Sequence, residues 1–256
     1  MKHYKELAAL QCFTRADAEH ITGSADAANF LLNSYQKKGL IESVKRNLYI
    51  VISLETGFAI PNRYRIASNI TDGAYITHHS AFEYYGCANQ VYYEVYISGK
   101  KKFASFEHDS VVYRYFVPRT TFGVNENPDG VRVTDTERTM LDGINDFDKT
   151  GGFEELMRCL ELIPCVDEDR LLSYLEQYDK QFLYQKVGYI LNHLKDELRL
   201  SEHFFESCER KVSKSVRYLY NDIKSHDSVF DTRWQLFVPK NLLLAYKSKI
   251  IMEATI

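Results

Sequence analysis

The histidine pair His78-His79 offers the residue type best suited to metal binding or proton transfer near neutral pH. Successive side chains of a strand point to opposite faces of the sheet, so two adjacent imidazoles at a strand end cannot both bind one metal ion. The sequence around the pair has no H-E-x-x-H motif and no paired carboxylates. Ser80 and Glu83 follow with the spacing of a helix capping box, and the pair is interpreted as a helix entry rather than a metal centre.

A cluster of charged side chains, Arg132, Asp135, Glu137 and Arg138, could provide acids and electrostatic stabilisers for a reaction. Helix capping and a surface ion-pair network explain the same residues without catalysis, because Thr134 and Glu137 have the spacing of a further capping box. The sequence also contains no glycine-rich phosphate loop and no G-x-S-x-G nucleophile motif. We therefore predict no catalytic residues, no cofactor and no metal ion.

The triple lysine Lys100–Lys102 follows a predicted strand and Gly99, so it forms a basic loop. Two interpretations stay open at this point: a solvated turn, or a loop that contacts phosphate groups. A nuclease site would also need an acid pair at suitable strand positions, and Glu94 does not supply that spacing with the loop.

Composition and charge exclude several classes of protein. The 256 residues are 45% hydrophobic and 26% charged, which is typical of a globular chain. The formal net charge of −3 excludes a globally basic nucleic-acid coat protein, and no apolar run approaches the roughly 18–20 residues that span a bilayer. The N-terminus does not resemble a signal peptide, so we expect a cytoplasmic protein without membrane contact. The five cysteines are widely spaced and odd in number, which favours free thiols over disulfides or structural zinc.

A stripe of amide side chains is the strongest candidate for recognition. On a helix through residues 25–38, Asn29 and Asn33 lie on the outward side, with Gln36 at its edge and Phe30 nearby. The inward side of the same helix is apolar and consists of Ala28, Leu31, Leu32 and Tyr35. Asparagine and glutamine can form paired hydrogen bonds with adenine in the major groove. The alternative interpretation is an ordinary solvated helix face.

The elements that would position this stripe occupy residues 1–52. A short helix over Tyr4–Leu10 is followed by a second helix with a capping box at Thr14 and an end at Gly23, and Ser24 caps the third. Two apolar β segments then flank the basic tip Lys45-Arg46-Asn47. Three helices followed by a hairpin is the order of a winged helix-turn-helix, which also occurs in protein-interaction modules.

The charge of this segment has the sign that DNA binding requires. Residues 1–50 hold seven basic and five acidic side chains, a net charge of +2, and the remaining residues therefore carry −5. We predict that the DNA-contacting residues come from the helix starts, the third helix and the hairpin tip: Arg15, Ser24, Asn29, Asn33, Gln36, Lys37, Lys38, Lys45, Arg46 and Asn47.

The rest of the chain, residues 53–256, is predicted to form a second domain. Residues 53–150 mix short β segments with capped helices, and residues 151–256 are mainly helical, with four amphipathic helices and a final strand within 232–239. The predicted fold class is therefore α+β and helix-rich, with a winged helix-turn-helix, a mixed unit and a C-terminal helical region.

Several blocks of sequence resemble the AbiEi family of antitoxins. The N-terminal blocks are Phe13–Ala18, Asn29–Leu32, Gly39–Ile41 and Arg46–Tyr49, which resemble that family's winged helix. Two more specific blocks, Tyr75–Gly86 and Val133–Asp142, resemble the segments that follow in that family. The similarity extends over roughly residues 5–220.

The resemblance implies an antitoxin of a bicistronic toxin–antitoxin system linked to abortive phage infection. It implies an N-terminal domain that represses its own operon by binding inverted repeats of double-stranded DNA in the promoter, and a C-terminal domain that carries the antitoxin activity. The functional partner would be a nucleotidyltransferase-like toxin, AbiEii, without a stable direct complex. Few basic residues precede Lys37 on the third helix, which departs from what strong phosphate contact requires.

Two alternatives from other classes remain. The first is a DNA-binding enzyme, nuclease-like, with its active site in residues 53–150. The second is a ligand-sensing transcriptional regulator, which an apolar cavity in the helical part would favour.

Overall fold

A computed structural model describes residues 2–212, 214–219 and 228–240 of the chain. The fold is α+β, as predicted: the described residues form ten α-helices, one short 3-10 helix and twelve strands in three sheets. They divide into two compact units. Unit 1 comprises residues 1–84 and 92–134, and unit 2 comprises residues 85–91 and 135–256.

In unit 1 the helices are α1 Tyr4–Leu10, α2 Arg15–Thr22, α3 Ala25–Lys37, α4 Arg63–Ser68 and α5 His79–Tyr84. The strands of unit 1 are β1 Cys12–Phe13, β2 Ile41–Lys45, β3 Leu48–Val51, β4 Tyr75–Ile76, β5 Glu94–Ser98, β6 Phe106–His108, β7 Val111–Tyr115, β8 Val124–Glu126 and β9 Arg132–Thr134.

In unit 2 the helices are α6 Thr136–Asn145, α7 Phe153–Glu161, α8 Glu168–Tyr178, α9 Gln181–Asn192 and α10 Glu202–Arg210, with a 3-10 turn at Phe147–Thr150. The strands of unit 2 are β10 Arg217–Tyr218, β11 Ser228–Asp231 and β12 Leu236–Pro239.

The first 52 residues form a winged helix, which we call the head. The Thr14 hydroxyl accepts from the Asp17 amide and the Asp17 carboxylate accepts from the Thr14 amide, so the predicted capping box starts α2. Gly23 ends α2 with a φ of +85°, a left-handed conformation that favours glycine. The head's sheet has the order β1-β3-β2, all antiparallel, and the sequence interpretation had missed β1.

Unit 1 also contains a mixed six-stranded sheet with the order β6-β7-β5-β4-β9-β8. The predicted capping box at Ser80 is wrong. Ser80 lies inside α5, where its hydroxyl accepts from the Tyr96 amide at 3.0 Å and donates to the Glu94 carbonyl at 3.3 Å. The serine therefore joins the helix to β5 instead of starting the helix.

Unit 2 packs its helices around α6 and α9 and adds a small sheet with the order β10-β12-β11. The N-cap of α6 is Asp135, which accepts from the Arg138 amide, and not Thr134 as predicted. The apolar spacing from Phe205 to Leu219 predicts the fourth amphipathic helix, but α10 ends at Arg210 and Arg217–Tyr218 is a strand. The C-terminal part is mainly helical, as predicted, and the strand predicted within 232–239 is β12, Leu236–Pro239. The prediction for residues 241–256 lies outside the described residues.

The boundary between the compact units does not fall at residue 52. Ile52 forms a β-bridge with Ala59, just beyond the head, and the compact unit 1 contains both the head and the six-stranded sheet. Residues 85–91 belong to unit 2, where the amides of Asn89 and Gln90 donate to one oxygen of Glu155 at 3.1 and 3.0 Å. Apart from residues 85–91, unit 2 begins at residue 135, and the division of residues 53–256 at residue 150 stays a prediction.

Candidate nucleic-acid interface

Helix α3 is held from behind by the core of the head. Ala28, Leu31, Leu32 and Tyr35 are all buried, together with residues of α1, α2 and the sheet. The Ser24 hydroxyl accepts from the Ala27 amide at 3.2 Å and so caps α3. Ser24 is predicted to contact DNA, and in the structure its side-chain oxygen caps α3.

The outward face of α3 carries the amide stripe. Asn33 and Gln36 are exposed, and Asn29 is half-buried. Within the described part of the chain, these three amides make no hydrogen bond to other groups of the protein. Lys37 and Lys38 are exposed at the C-terminal end of the same helix. A rigid helix therefore presents unpaired amide groups to solvent, as base recognition in a major groove requires.

Phe30 is 77% exposed on α3. Its ring lines an open cleft of about 340 Å³ between α3 and the N-terminal segment, with Lys2, Ala27, Leu31 and other side chains. An exposed aromatic ring beside the amide stripe is suited to contact with a thymine methyl group. A second cleft, of about 330 Å³, lies among α8, α9 and α10 in the helical part, where the ligand-sensing alternative expects a cavity.

The hairpin tip is fixed to the start of α2. Asn47 has a φ of +62°, and its side-chain oxygen accepts from the Arg15 amide at 3.0 Å. The Arg15 amide belongs to the first turn of α2, where backbone donors lack partners within the helix. Asn47 is predicted to contact DNA, and in the structure its side-chain oxygen holds the tip against α2. Arg15 and Arg46 are both exposed beside this link.

Lys45, which is predicted to contact DNA, is half-buried at the tip and contacts residues of the following sheet. Its Nζ donates to the Ile70 carbonyl at 3.2 Å and lies 5.2 Å from the centre of the Phe103 ring and 5.7 Å from that of Phe106. Burial lowers the pKa of the Lys45 ammonium group. The hairpin of β2 and β3 is the wing of the head. Lys45 therefore packs the wing against residues that follow the head in the chain.

The two basic residues of the tip should behave differently when substituted. Arg46→Ala should flatten the salt dependence of DNA binding by about one unit of log–log slope, because one phosphate contact is lost. Lys45→Met should leave the slope unchanged and lower the free energy of unfolding by about 1 kcal/mol, because a cation–π contact is removed. Fluorescence anisotropy across a salt series measures the slope, and thermal unfolding measures the change in stability. An equal loss of slope in the two variants would contradict this assignment.

Helix α5 begins at His79, and His78 precedes it with a φ of +53°. His79 is fully buried, and its Nδ1 lies 3.2 Å from Oε1 of Glu83. The Glu83 carboxylate also accepts from Arg63 at 2.5 Å, from the Tyr64 hydroxyl at 2.9 Å and from the Tyr92 amide at 2.7 Å. Burial by itself raises the pKa of Glu83, but these hydrogen bonds and the charge of Arg63 outweigh it and lower that pKa. The arrangement holds the carboxylate ionised inside unit 1.

Three of the four residues of the predicted charged cluster are buried rather than on the surface, and the fourth, Arg132, is half-buried in β9, which corrects the predicted surface network. Asp135, Glu137 and Arg138 are at most 6% exposed. Arg138 Nε donates to Asp142 Oδ2 at 2.9 Å, and the Asp135 carboxylate accepts from the Tyr174 hydroxyl at 2.6 Å. These contacts join α6 to its own turns and to α8, which explains the cluster as part of the fold.

Comparison with known proteins gives a likeness in fold. No protein-family model matches the chain, and no curated protein matches it in sequence. The crystal structure of the Rv2827c protein from Mycobacterium tuberculosis is similar to this chain with a TM-score of 0.64 and 16% sequence identity. The likeness covers 97% of this chain and 93% of the mycobacterial chain. At that identity it shows a common fold alone.

The described residues contain no helix that is both long and apolar enough to cross a bilayer.

Proposed function

We propose that the chain is a sequence-specific binder of double-stranded DNA, in which α3 enters the major groove and the wing contacts the neighbouring phosphates. The observation that carries the proposal is the outward face of α3, where Asn29 and Asn33 are unbonded while the opposite face is locked in the core. Arg15 and Arg46, joined through Asn47, would clamp the backbone beside that groove.

We further propose that the DNA is the promoter of the protein's own operon and that the protein is a cytoplasmic, non-enzymatic antitoxin. The support is the resemblance of residues 75–86 and 133–142 to the AbiEi family. Inverted repeats would be the operator, and a nucleotidyltransferase-like toxin would be opposed without a stable complex.

A gel shift on DNA from immediately upstream of the reading frame tests the proposal, with a nuclease assay on the same duplex run in parallel. We expect a discrete shifted band that survives an excess of unrelated duplex, and intact DNA. Shifted bands that unrelated duplex removes completely would contradict sequence-specific binding, and metal-dependent cleavage would favour the nuclease alternative.

A plate rescue assay tests the antitoxin role separately. Cells that express the neighbouring toxin gene should grow when the full chain is co-expressed. The full chain is preferable to a truncation at residue 52, because that cut removes Lys45 from Phe103 and Phe106 within unit 1. Absence of growth with well-expressed protein would contradict the antitoxin role and leave DNA binding intact.

A further inference from the structure

We infer that the loop Lys100–Lys102 is a second phosphate-binding element that extends the DNA contact of the head beyond the wing. This inference rests on the proposed DNA binding. The side chain of Lys45 reaches from the end of β2 to the rings of Phe103 and Phe106. The three lysines immediately precede Phe103 in the chain, so this contact places them next to the hairpin tip.

Two contacts fix the direction in which the loop lies. Glu42, early in β2, is 3.7 Å from His108 at the end of β6, and Lys45, at the end of β2, lies over Phe106 at the start of β6. The two strands therefore run in opposite directions. Going from Glu42 to Lys45 along β2, the neighbouring residues run from His108 back to Phe106 and Phe103. The lysine loop immediately precedes Phe103. The loop lies on the same side as the tip residue Arg46, and the acidic Glu42 lies at the other end.

The loop is anchored at both of its ends. The Gly99 carbonyl accepts from the Tyr115 hydroxyl at 2.8 Å, and a Cβ at Gly99 would approach the Ala74 Cα to 3.1 Å, so the backbone is pressed against its neighbour there. At the other end the Phe103 ring packs edge-on against Tyr115 and Phe106, with ring centres 5.5 and 6.1 Å apart. Anchored ends reduce the conformational entropy that binding a backbone would cost.

The charges on the loop are available to a ligand. Lys100, Lys101 and Lys102 are exposed, and within the described stretches of the chain none of them forms an ion pair or a hydrogen bond. Three adjacent unpaired ammonium groups next to a basic tip suit a polyanionic backbone. Together with Arg46 they would follow one strand of a duplex whose major groove is occupied by α3.

Fluorescence anisotropy of the full chain with a short labelled duplex, in a salt series, tests the inference. Replacing Lys100, Lys101 and Lys102 with glutamine should flatten the log–log salt slope by about 2.7 units, since roughly 0.9 unit is lost for each of the three phosphate contacts. The matched control replaces the same residues with arginine, which keeps the charge and should keep the slope. Thermal unfolding should be unchanged in both variants, because the loop is exposed.

The outcomes separate this inference from the proposed function. If the unsubstituted protein binds the duplex with a steep slope and the glutamine variant keeps that slope, the loop does not touch DNA and the inference is wrong while DNA binding stands. If the unsubstituted protein binds no duplex, both are wrong. A flattened slope that the arginine variant restores supports both.

Discussion

Replacing Arg138 with methionine should lower the free energy of unfolding by about 3–5 kcal/mol, because it leaves the buried Asp142 carboxylate without its cationic partner. The side chains of Arg138 and Asp142 are 2% and 6% exposed, and the Arg138 guanidinium also lies over the Tyr178 ring at 5.6 Å. Equilibrium unfolding in urea measures the change.

The double variant Arg138→Met with Asp142→Leu is the control for this result. The double variant has no unpaired buried carboxylate, so it should be more stable than Arg138→Met alone. If the single variant is as stable as the unsubstituted chain, the ion pair does not hold α6 in the way described.

Replacing Gly188 with leucine should lower the free energy of unfolding of unit 2 by about 3 kcal/mol or more, because the side chain would overpack the core. A Cβ at Gly188 in α9 would lie 2.0 Å from Trp234 Cζ3, and Trp234 is 2% exposed. The side-chain amide of Gln185, one turn earlier, donates to the Trp234 backbone carbonyl at 3.1 Å. This bond holds in place the backbone that carries the indole.

A matched substitution on the same helix checks that the effect comes from this contact. Asn192→Leu places leucine at an exposed position of α9 and should change stability by no more than about 0.5 kcal/mol. With Trp234→Ala as background, Gly188→Leu should cost much less than in the native background. An undiminished cost in that background would show that the indole is not the obstacle.

Local sequence signals predicted the head well because its elements follow local rules. The apolar spacing of α3 and the caps at Thr14 and Ser24 depend on residues a few positions apart, and all are present in the structure. Strand β1 was missed because two residues between helices, Cys12 and Phe13, show no periodicity, and only pairing with β3 makes them a strand.

Contacts between residues distant in sequence explain where the local interpretation of side chains differs from the structure. Lys45 has the type and position of a wing-tip cation, but its partners Ile70, Phe103 and Phe106 lie 25 or more residues away. Ser80 has the spacing of a cap, but Tyr96 and Glu94 take up its hydroxyl. No pattern within a single helix or hairpin shows these long-range contacts. The contact between Lys45 and Phe103 also determines where Lys100–Lys102 lies.

The central claim, that α3 reads base sequence, is tested most directly by the ratio of affinities for the upstream operator duplex and a scrambled duplex at one salt concentration. The unsubstituted chain should prefer the operator by about 10³-fold or more. Asn33→Ala should lower the ratio by about tenfold, since a paired amide–base contact contributes about 1–3 kcal/mol of discrimination. Asn192→Ala, which removes an exposed amide from α9, should leave the ratio unchanged. An Asn33→Ala variant that folds and keeps the full ratio would contradict the claim.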